Sequence, residues 1–377
     1  MSSDLYKKIA KAKRIVIKVG SSSLTSHSGS IDVQRLNALV DEIAKKKQQK
    51  ADIVLVSSGA IAAALAPLGL KSRPRDLIMQ QAAASVGQGL LVHRYTERFA
   101  SHNIVAGQIL LTSEDISRRS HYRNAIRTFN QLFDLGVIPI VNENDTVATE
   151  EIRFGDNDRL AALVANLVQA DLLLLLSDVE GLFDKSPSEP AAKLISEVKD
   201  FKEISQVKVG NEPGSKLGSG GMQTKLTAAK IATSAGICVV VTDAKNLARA
   251  LAGETVGTLF HPASDKHSAR ELWLAHASSV MGSVVVDSGA ERALLTARAS
   301  LLAAGIKSVT GDFAVGDVIS VLNEKQEVIA RGLVNFDSDE LPKIIGKTSK
   351  KITEQLGEDL VREVVHLDDL VLIEGAQ

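Results

Sequence analysis

Ile15-Val16-Ile17-Lys18-Val19-Gly20-Ser21-Ser22-Ser23 reads as a strand that runs out into a turn of small residues. The run before Lys18 is apolar without alternation, the pattern of a strand covered on both faces rather than one half in water. Similar apolar runs return at 53–56, 105–111, 137–141, 172–176 and 237–241. Helical patterns separate most of them. Val33, Leu36, Val40 and Ile43 fall at helical spacing, a small-residue helix opens at Ala60, and a longer one spans Asp76 to Phe99. The cations Lys45, Lys46, Lys47 and Lys50 suit the solvated C-terminus of the first helix, where they complement its dipole. The alternation predicts an α/β fold: an open, mainly parallel sheet with helices on both faces.

A chain of 377 residues is too long for one small core and predicts two domains. Composition changes after Phe260, where a polar, aperiodic stretch begins at His261. Beyond it come short strand-like runs at 283–286, 318–322, 328–334 and 364–373, with one helical insert over 290–304. The expected division is an α/β domain over 1–265, a linker over 266–282 and a small β-rich domain over 283–377. The N-terminus is expected to pass from a Lys-rich start directly into the first strand, without the apolar core of a signal peptide.

Several function classes are disfavoured. An aromatic share of 3% leaves little for a surface that stacks nucleobases or sugars. The longest apolar run, Leu172 to Leu176, is too short to span a bilayer. The lone Cys238 lies in an apolar strand pattern, so it reads as a buried structural thiol with no intrachain disulfide. A soluble, cytoplasmic protein without a membrane partner is the expectation.

In open parallel sheets ligands bind beyond the carboxyl ends of the strands, and four segments occupy such places. At Lys18 to Ser23, glycine and serine allow backbone N–H groups close to a phosphate, and Lys18 adds a point charge. At Val56-Ser57-Ser58-Gly59-Ala60, a strand ends in Ser and Gly and opens a helix, which suits an anion or a plain N-cap. Asn142-Glu143-Asn144-Asp145 and Gly155-Asp156-Asn157-Asp158 place acceptors for an ammonium group beside donors for carboxylates. Such a cluster also suits Mg²⁺, and each of its residues singly suits a turn or a cap. Gly218-Ser219-Gly220-Gly221-Met222-Gln223-Thr224-Lys225 leads glycines into a helix with a lysine one turn in. It is not a Walker A motif, and Gly346-Lys347-Thr348 fails that motif because Leu341 stands where glycine is required.

On these motifs, together with Gly305-Ile306-Lys307-Ser308-Val309-Thr310-Gly311, the chain resembles the glutamate 5-kinases (gamma-glutamyl kinases) of the amino-acid kinase family that carry a C-terminal PUA domain. The resemblance runs over nearly the whole chain; Ser21 stands where the family often has Thr, keeping the hydroxyl. It implies the amino-acid kinase fold over 1–265 and a PUA-like domain over 283–377. It implies transfer of the terminal phosphoryl of ATP to the side-chain carboxylate of L-glutamate, the first step of proline biosynthesis. By motif, Lys18 and Lys225 would contact the phosphates and the transferring group, with Asp158 holding both lysines in register. Ser58, Asp145 and Asn157 would bind glutamate. Ser177, Asp178 and the loop Ser219, Gly220, Gly221, Met222, Gln223, Thr224 and Lys225 would bind nucleotide. The cofactors implied are ATP and Mg²⁺, the latter held mainly by phosphates, with no metal site assigned to protein residues. Feedback inhibition by proline, a homo-oligomer and a hand-over of the acyl phosphate to a reductase are further implications.

The chemistry agrees with that reading. A glutamate side chain, with a pKa of about 4.3, is already a carboxylate at neutral pH, so no general base is needed. The eight histidines are then structural or surface residues. The same fold with another acceptor (acetylglutamate, aspartate, carbamate or a nucleoside monophosphate) is the nearest alternative. An RNA-binding role for the C-terminal domain is the alternative from another class. Residues 283–377 carry 10 Lys and Arg against 16 Asp and Glu, a formal −6, where phosphate binding wants a basic face. No nucleic-acid partner is therefore expected.

Overall fold

Strand β1 (Arg14–Val19) and strand β5 (Leu172–Ser177) are almost wholly buried along their lengths, as runs of Ile, Val and Leu with apolar cover on both faces must be. The computed structural model describes every residue except 1, 27–29, 113–114, 117–118, 148–156, 188, 190, 205–220, 264–273, 275–279, 298, 357–359 and 374–377. The chain divides into two compact units, Met1–Ala269 and Arg270–Gln377.

In the first unit, helix α1 (Ser2–Ala10) precedes β1, and a single helical turn α2 (Ser21–Leu24) follows it. Then come α3 (Val33–Gln48), β2 (Asp52–Ser57), α4 (Ala60–Leu65), α5 (Leu77–Ala100), β3 (Ala106–Leu111), α6 (Arg119–Asp134) and β4 (Ile138–Glu143). After α7 (Asn157–Leu167) and β5 follow β6 (Glu197–Val198), α8 (Met222–Ser234), β7 (Cys238–Asp243), α9 (Leu247–Leu251) and β8 (Thr258–Phe260). The sheet order is β3-β4-β2-β1-β5-β7-β8-β6. Its pairs are parallel except β7 with β8.

Alternation along the strands assigns the two faces. Ile15, Ile17 and Val19 of β1 join Leu36, Val40 and Ile43 of α3, Leu91, Tyr95 and Phe99 of α5, and Leu247 of α9 in one core. Val16 and Lys18 therefore point to the opposite face, where α7 packs on β1 and on α8. Helix α3 starts on a true cap, since Asp32 accepts from the N–H groups of Gln34 and Arg35. Helix α5 does likewise through Asp76 and Met79.

The second unit holds β9 (Gly282–Val286), α10 (Ser288–Ala297), β10 (Ile306–Gly311), β11 (Val318–Leu322), β12 (Val328–Leu333), α11 (Leu341–Ile344), α12 (Ser349–Leu356) and β13 (Leu370–Leu372). Its sheet runs β10-β9-β11-β12-β13 over a separate core that includes Val284, Ile319, Ile329 and Phe336.

Some sequence expectations are corrected. The chain does not enter β1 directly, because α1 comes first and buries Ile9. Val33 begins α3 but is 45% exposed, so the buried stripe starts at Leu36. Strand β3 is not covered on both faces: it is the sheet edge, and Leu110 within it reaches solvent. The run 364–373 yields only a three-residue strand, because a 3₁₀ turn at Leu367–Asp369 interrupts it. Cys238 is buried as expected, and burial pushes its thiol pKa up to about 12.

Candidate active site

Strands β1 and β5 are neighbours, yet the chain leaves β1 for β2 on one side and leaves β5 for β6, beyond β7 and β8, on the other. Their carboxyl ends therefore flank a reversal of strand order, the place where open α/β sheets form a ligand crevice. Lys18, the penultimate residue of β1, is only 3% exposed. Its ammonium lies 2.5 Å from Asp158 Oδ1, and that of Lys225 lies 3.0 Å from Asp158 Oδ2. Asp158 has no exposure at all. The one proton of the Thr224 hydroxyl is shared between the Gly221 carbonyl at 2.7 Å and Asp158 Oδ2 at 3.2 Å.

Two helix N-termini bring these groups together. Asp158 is the second residue of α7, where the dipole favours an anion. Lys225 is the fourth residue of α8, where the dipole disfavours a cation by up to about 1 kcal/mol. The carboxylate of Asp158 offsets that cost. Two ammonium groups sharing one carboxylate carry a formal charge of +1, set where phosphate oxygens can meet the strand ends. Gly20 follows β1 directly, and a Cβ there would meet the Lys18 nitrogen at 3.7 Å, in ordinary contact.

A second cluster stands beside the first, at the ends of β2 and β4. The Asn157 side-chain nitrogen donates its two N–H groups to the Ser57 carbonyl and Asn142 Oδ1, each at 2.7 Å, with the Ser58 hydroxyl oxygen a longer contact at 3.2 Å. Asn142 donates in turn to Gln88 Oε1 of α5 at 2.5 Å. The Ser57 hydroxyl meets the Tyr95 hydroxyl at 2.9 Å. Burial pushes the Tyr95 pKa up, so this phenol stays neutral. Gly59, at φ +104°, is the left-handed residue that turns β2 into α4. Asp145 is half-buried in the turn after β4.

The remaining predicted positions lie nearby in the fold. Ser177 is the buried last residue of β5 and donates to Asp178 at 3.3 Å, while Ser23 donates to the Ser177 carbonyl at 3.3 Å. Asp178 itself is exposed. Gly221 caps α8, and Met222, Gln223 and Thr224 form its first turn. Ser219 and Gly220 lie outside the described residues, as do Gly155 and Asp156. On the α3 side of the sheet a groove of about 690 Å³ runs past Val19, Ser22, Ser177 and Asp178 to α9. Several of its charges are matched by neighbouring side chains. Asp41 is gripped by Arg98 and His102, Glu42 pairs with Lys45 at 2.6 Å, and Asp243 pairs with Lys245 at 3.9 Å. The hydrogen bonds from Arg98, foremost among the causes, hold the Asp41 carboxyl below the usual carboxylate range. The buried cations gathered on one carboxylate lie instead on the α7–α8 side.

Sequence reasoning gave no role to Gln88 or Tyr95, and read Ser57 and Asn142 only as parts of motifs. One signal was available for Gln88, in Gly87-Gln88-Gly89. Glycines inside a long helix mark a close approach, and a Cβ on Gly87 would lie 1.8 Å from the Ala60 carbonyl oxygen.

Residues 13–243 match the model of the amino acid kinase family, and residues 282–356 match that of the PUA domain. A glutamate 5-kinase of Streptomyces coelicolor is 55% identical over 365 residues, spanning 97% of this chain and 98% of that protein. A glutamate 5-kinase of Thermobifida fusca is 52% identical over 366 residues, with 97% and 94% covered. Among solved structures, a carbamate kinase from Giardia lamblia bound to AMP-PNP superposes with a TM-score of 0.50 at 18% identity. It covers 67% of this chain and 100% of that one. At that identity the likeness concerns the fold of the first unit alone.

Proposed function

The chain belongs to the amino acid kinase family, in its glutamate 5-kinase branch with a PUA domain, and from that premise we propose how its residues divide the work. The reaction is ATP-dependent phosphorylation of the side-chain carboxylate of L-glutamate, giving L-glutamyl 5-phosphate and ADP, the first step of proline biosynthesis. The observation that carries the division of roles is the pair of buried ammonium groups, Lys18 and Lys225, joined on Asp158 at the crevice.

Nucleophile and electrophile are both anionic, so the obstacle is charge rather than proton removal. At 4 Å and an effective dielectric of about 20, two like unit charges repel by about 4 kcal/mol. Lys18 and Lys225 would offset that repulsion, and their advantage grows as charge spreads over the transferring oxygens in the in-line transition state. Asp158 would act on the lysines, fixing where their charges sit. Ser58, Asp145 and Asn157 would hold glutamate with its side chain turned to β1. Nucleotide would lie over the end of β5, between Ser177 and Asp178 on one side and the 219–225 segment on the other.

Mg²⁺ is tested by the donors present. Among the described residues no three His, Cys, Asp or Glu side chains gather to hold a metal, and Asp158 is already taken by two ammonium groups. Mg²⁺ is placed on the ATP phosphates, on the family resemblance, and no step is drawn through it. Inhibition by proline overlapping the glutamate site, a homo-oligomer, hand-over to a reductase and a cytoplasmic setting are also proposed, on the family resemblance. None of the described helices is long and apolar enough to cross a membrane.

An acceptor panel with ATP tests the reading. Glutamate is expected to be phosphorylated, with N-acetylglutamate, aspartate, carbamate and a nucleoside monophosphate inert. Turnover of N-acetylglutamate equal to that of glutamate would sink it, because the site would then ignore the free α-amine.

A further inference from the structure

The side chain of Asn157 carries an oxygen and a nitrogen on one flat amide, and which of them faces the substrate decides what it recognises. Three acceptors surround its nitrogen: the Ser57 carbonyl, Asn142 Oδ1 and the Ser58 hydroxyl. Among the described residues nothing donates to its oxygen. The orientation of Asn142 is set by the backbone, since the Glu143 N–H donates to Asn142 Oδ1 at 2.9 Å. That leaves the Asn142 nitrogen pointing to Gln88, whose oxygen accepts it at 2.5 Å. Turning any one of the three amides over would set donor against donor or acceptor against acceptor. The direction of the chain is pinned by one backbone N–H and one backbone C=O, and Gln88 supplies the acceptor at its far end.

We propose that Gln88 is a positioning residue: without its acceptor the buried Asn142 nitrogen is left unsatisfied, so Asn142 shifts and no longer places the Asn157 amide with its oxygen set for the α-ammonium group of the substrate. The proposal rests on the assignment of Asn157 to glutamate. An amide oxygen accepts from an ammonium group, so a substrate that lacks the amine leaves this oxygen unpaired and is disfavoured. Gln88 touches neither substrate nor phosphate in this scheme. Its own nitrogen is buried without a partner, so replacing that nitrogen by oxygen breaks no hydrogen bond and keeps the acceptor that Asn142 needs.

The test compares glutamate with glutarate, which has both carboxylates and no amine, in the full chain and its Gln88→Met, Gln88→Ala and Gln88→Glu variants. The readouts are kcat/KM for each acceptor, KM for ATP and the thermal unfolding curve. The wild type is expected to favour glutamate strongly. Gln88→Met and Gln88→Ala should each cut the glutamate-to-glutarate ratio by roughly ten- to a hundred-fold with KM for ATP unchanged, and Gln88→Glu should keep the ratio. Two different truncations guard against a folding defect in either one. Equal losses on both acceptors would mean a merely structural residue and would overturn the proposal. So would a Gln88→Glu variant as unselective as Gln88→Met. A wild type that accepts glutarate as readily as glutamate would instead refute the assignment of the amine site to Asn157, and the relay with it.

Discussion

Replacing Asp158 by Asn removes one charge from the most buried ionic group of the site and leaves its shape almost unchanged. The side chains of Lys18, Lys225 and Asp158 are 3%, 7% and 0% exposed, so water cannot take the place of the lost carboxylate. Breaking a buried ion pair from one side costs about 3–5 kcal/mol. For a unit of this size each kcal/mol lowers Tm by about 2–4 °C, so a fall of roughly 6–20 °C is expected without nucleotide. ATP should narrow that gap, because its phosphates bring back negative charge. A unit charge about 5 Å from a phosphate, at an effective dielectric of about 20, is worth about 3 kcal/mol. Losing the carboxylate therefore favours ground-state binding of ATP, and KM for ATP should not rise. The rate should suffer instead, since the two ammonium groups lose the anchor that sets their spacing. Misplacement by about 1 Å costs on the order of a hundred-fold in kcat. Calorimetry with and without ATP, beside steady-state kinetics, reads both effects. A variant with near-normal kcat and a collapsed affinity for ATP would refute the reasoning, because Asp158 would then bind nucleotide rather than organise the lysines.

Other substitutions separate the remaining roles. Lys225→Ala should lower kcat on the order of a hundred- to a thousand-fold while KM for glutamate changes little; near-normal kcat would remove Lys225 from the chemistry. Asp145→Ala should raise KM for glutamate by roughly ten- to a hundred-fold, the worth of a hydrogen bond to a charged group, with KM for ATP unchanged. If ATP binding collapsed instead, Asp145 would belong to the nucleotide site. Gly87→Ala pushes a methyl group to 1.8 Å from the Ala60 carbonyl oxygen, so α4 or α5 must shift, at a cost of about 1–3 kcal/mol. Because α4 starts directly after Ser58 and Gly59, KM for glutamate should rise as Tm falls, and an unchanged unfolding curve would show that the two helices do not pack this closely.

Much of the first unit was legible because its strands are short apolar runs that end in chemistry. Lys18, Ser58, Asp145 and Ser177 could each be placed at or just beyond a strand's end from pattern alone, and the structure puts them there. What failed to show was set by partners distant in sequence. Gln88 sits 54 positions before Asn142, and a glutamine inside a helix has no local pattern that marks it as bonded inward. Helix α1 was hidden by its lysines, although Leu5 and Ile9 stand one turn apart. Its docking depends on Lys46, whose ammonium donates to the Ala10 and Leu251 carbonyls at the ends of α1 and α9. The antiparallel turn at β8 was equally illegible, since the three residues Thr258, Leu259 and Phe260 carry no sign of strand direction.

The order of strands also bears on which acceptor the proposed site can use. Neighbouring strands lie about 4.8 Å apart, and Lys18, Ser58 and Asp145 stand at the ends of β1, β2 and β4 in that spatial order. The crevice is thus graded across the sheet, from ammonium groups at β1, through the Asn157 oxygen near β2, to a carboxylate beyond β4. In extended glutamate the α-nitrogen and the side-chain carboxyl carbon are separated by four bonds, about 5 Å. That length matches one strand spacing, so in the proposed site an amine held near β2 would put the side-chain carboxylate beside the lysine pair. Aspartate is one bond shorter and would bring its carboxylate up about 1.3 Å short. A shortfall of that size, worth about a hundred-fold in rate, separates the two acid side chains without any clash. Glutarate has the reach but not the amine, so length and the proposed amide relay would discriminate against different competitors and neither device would replace the other.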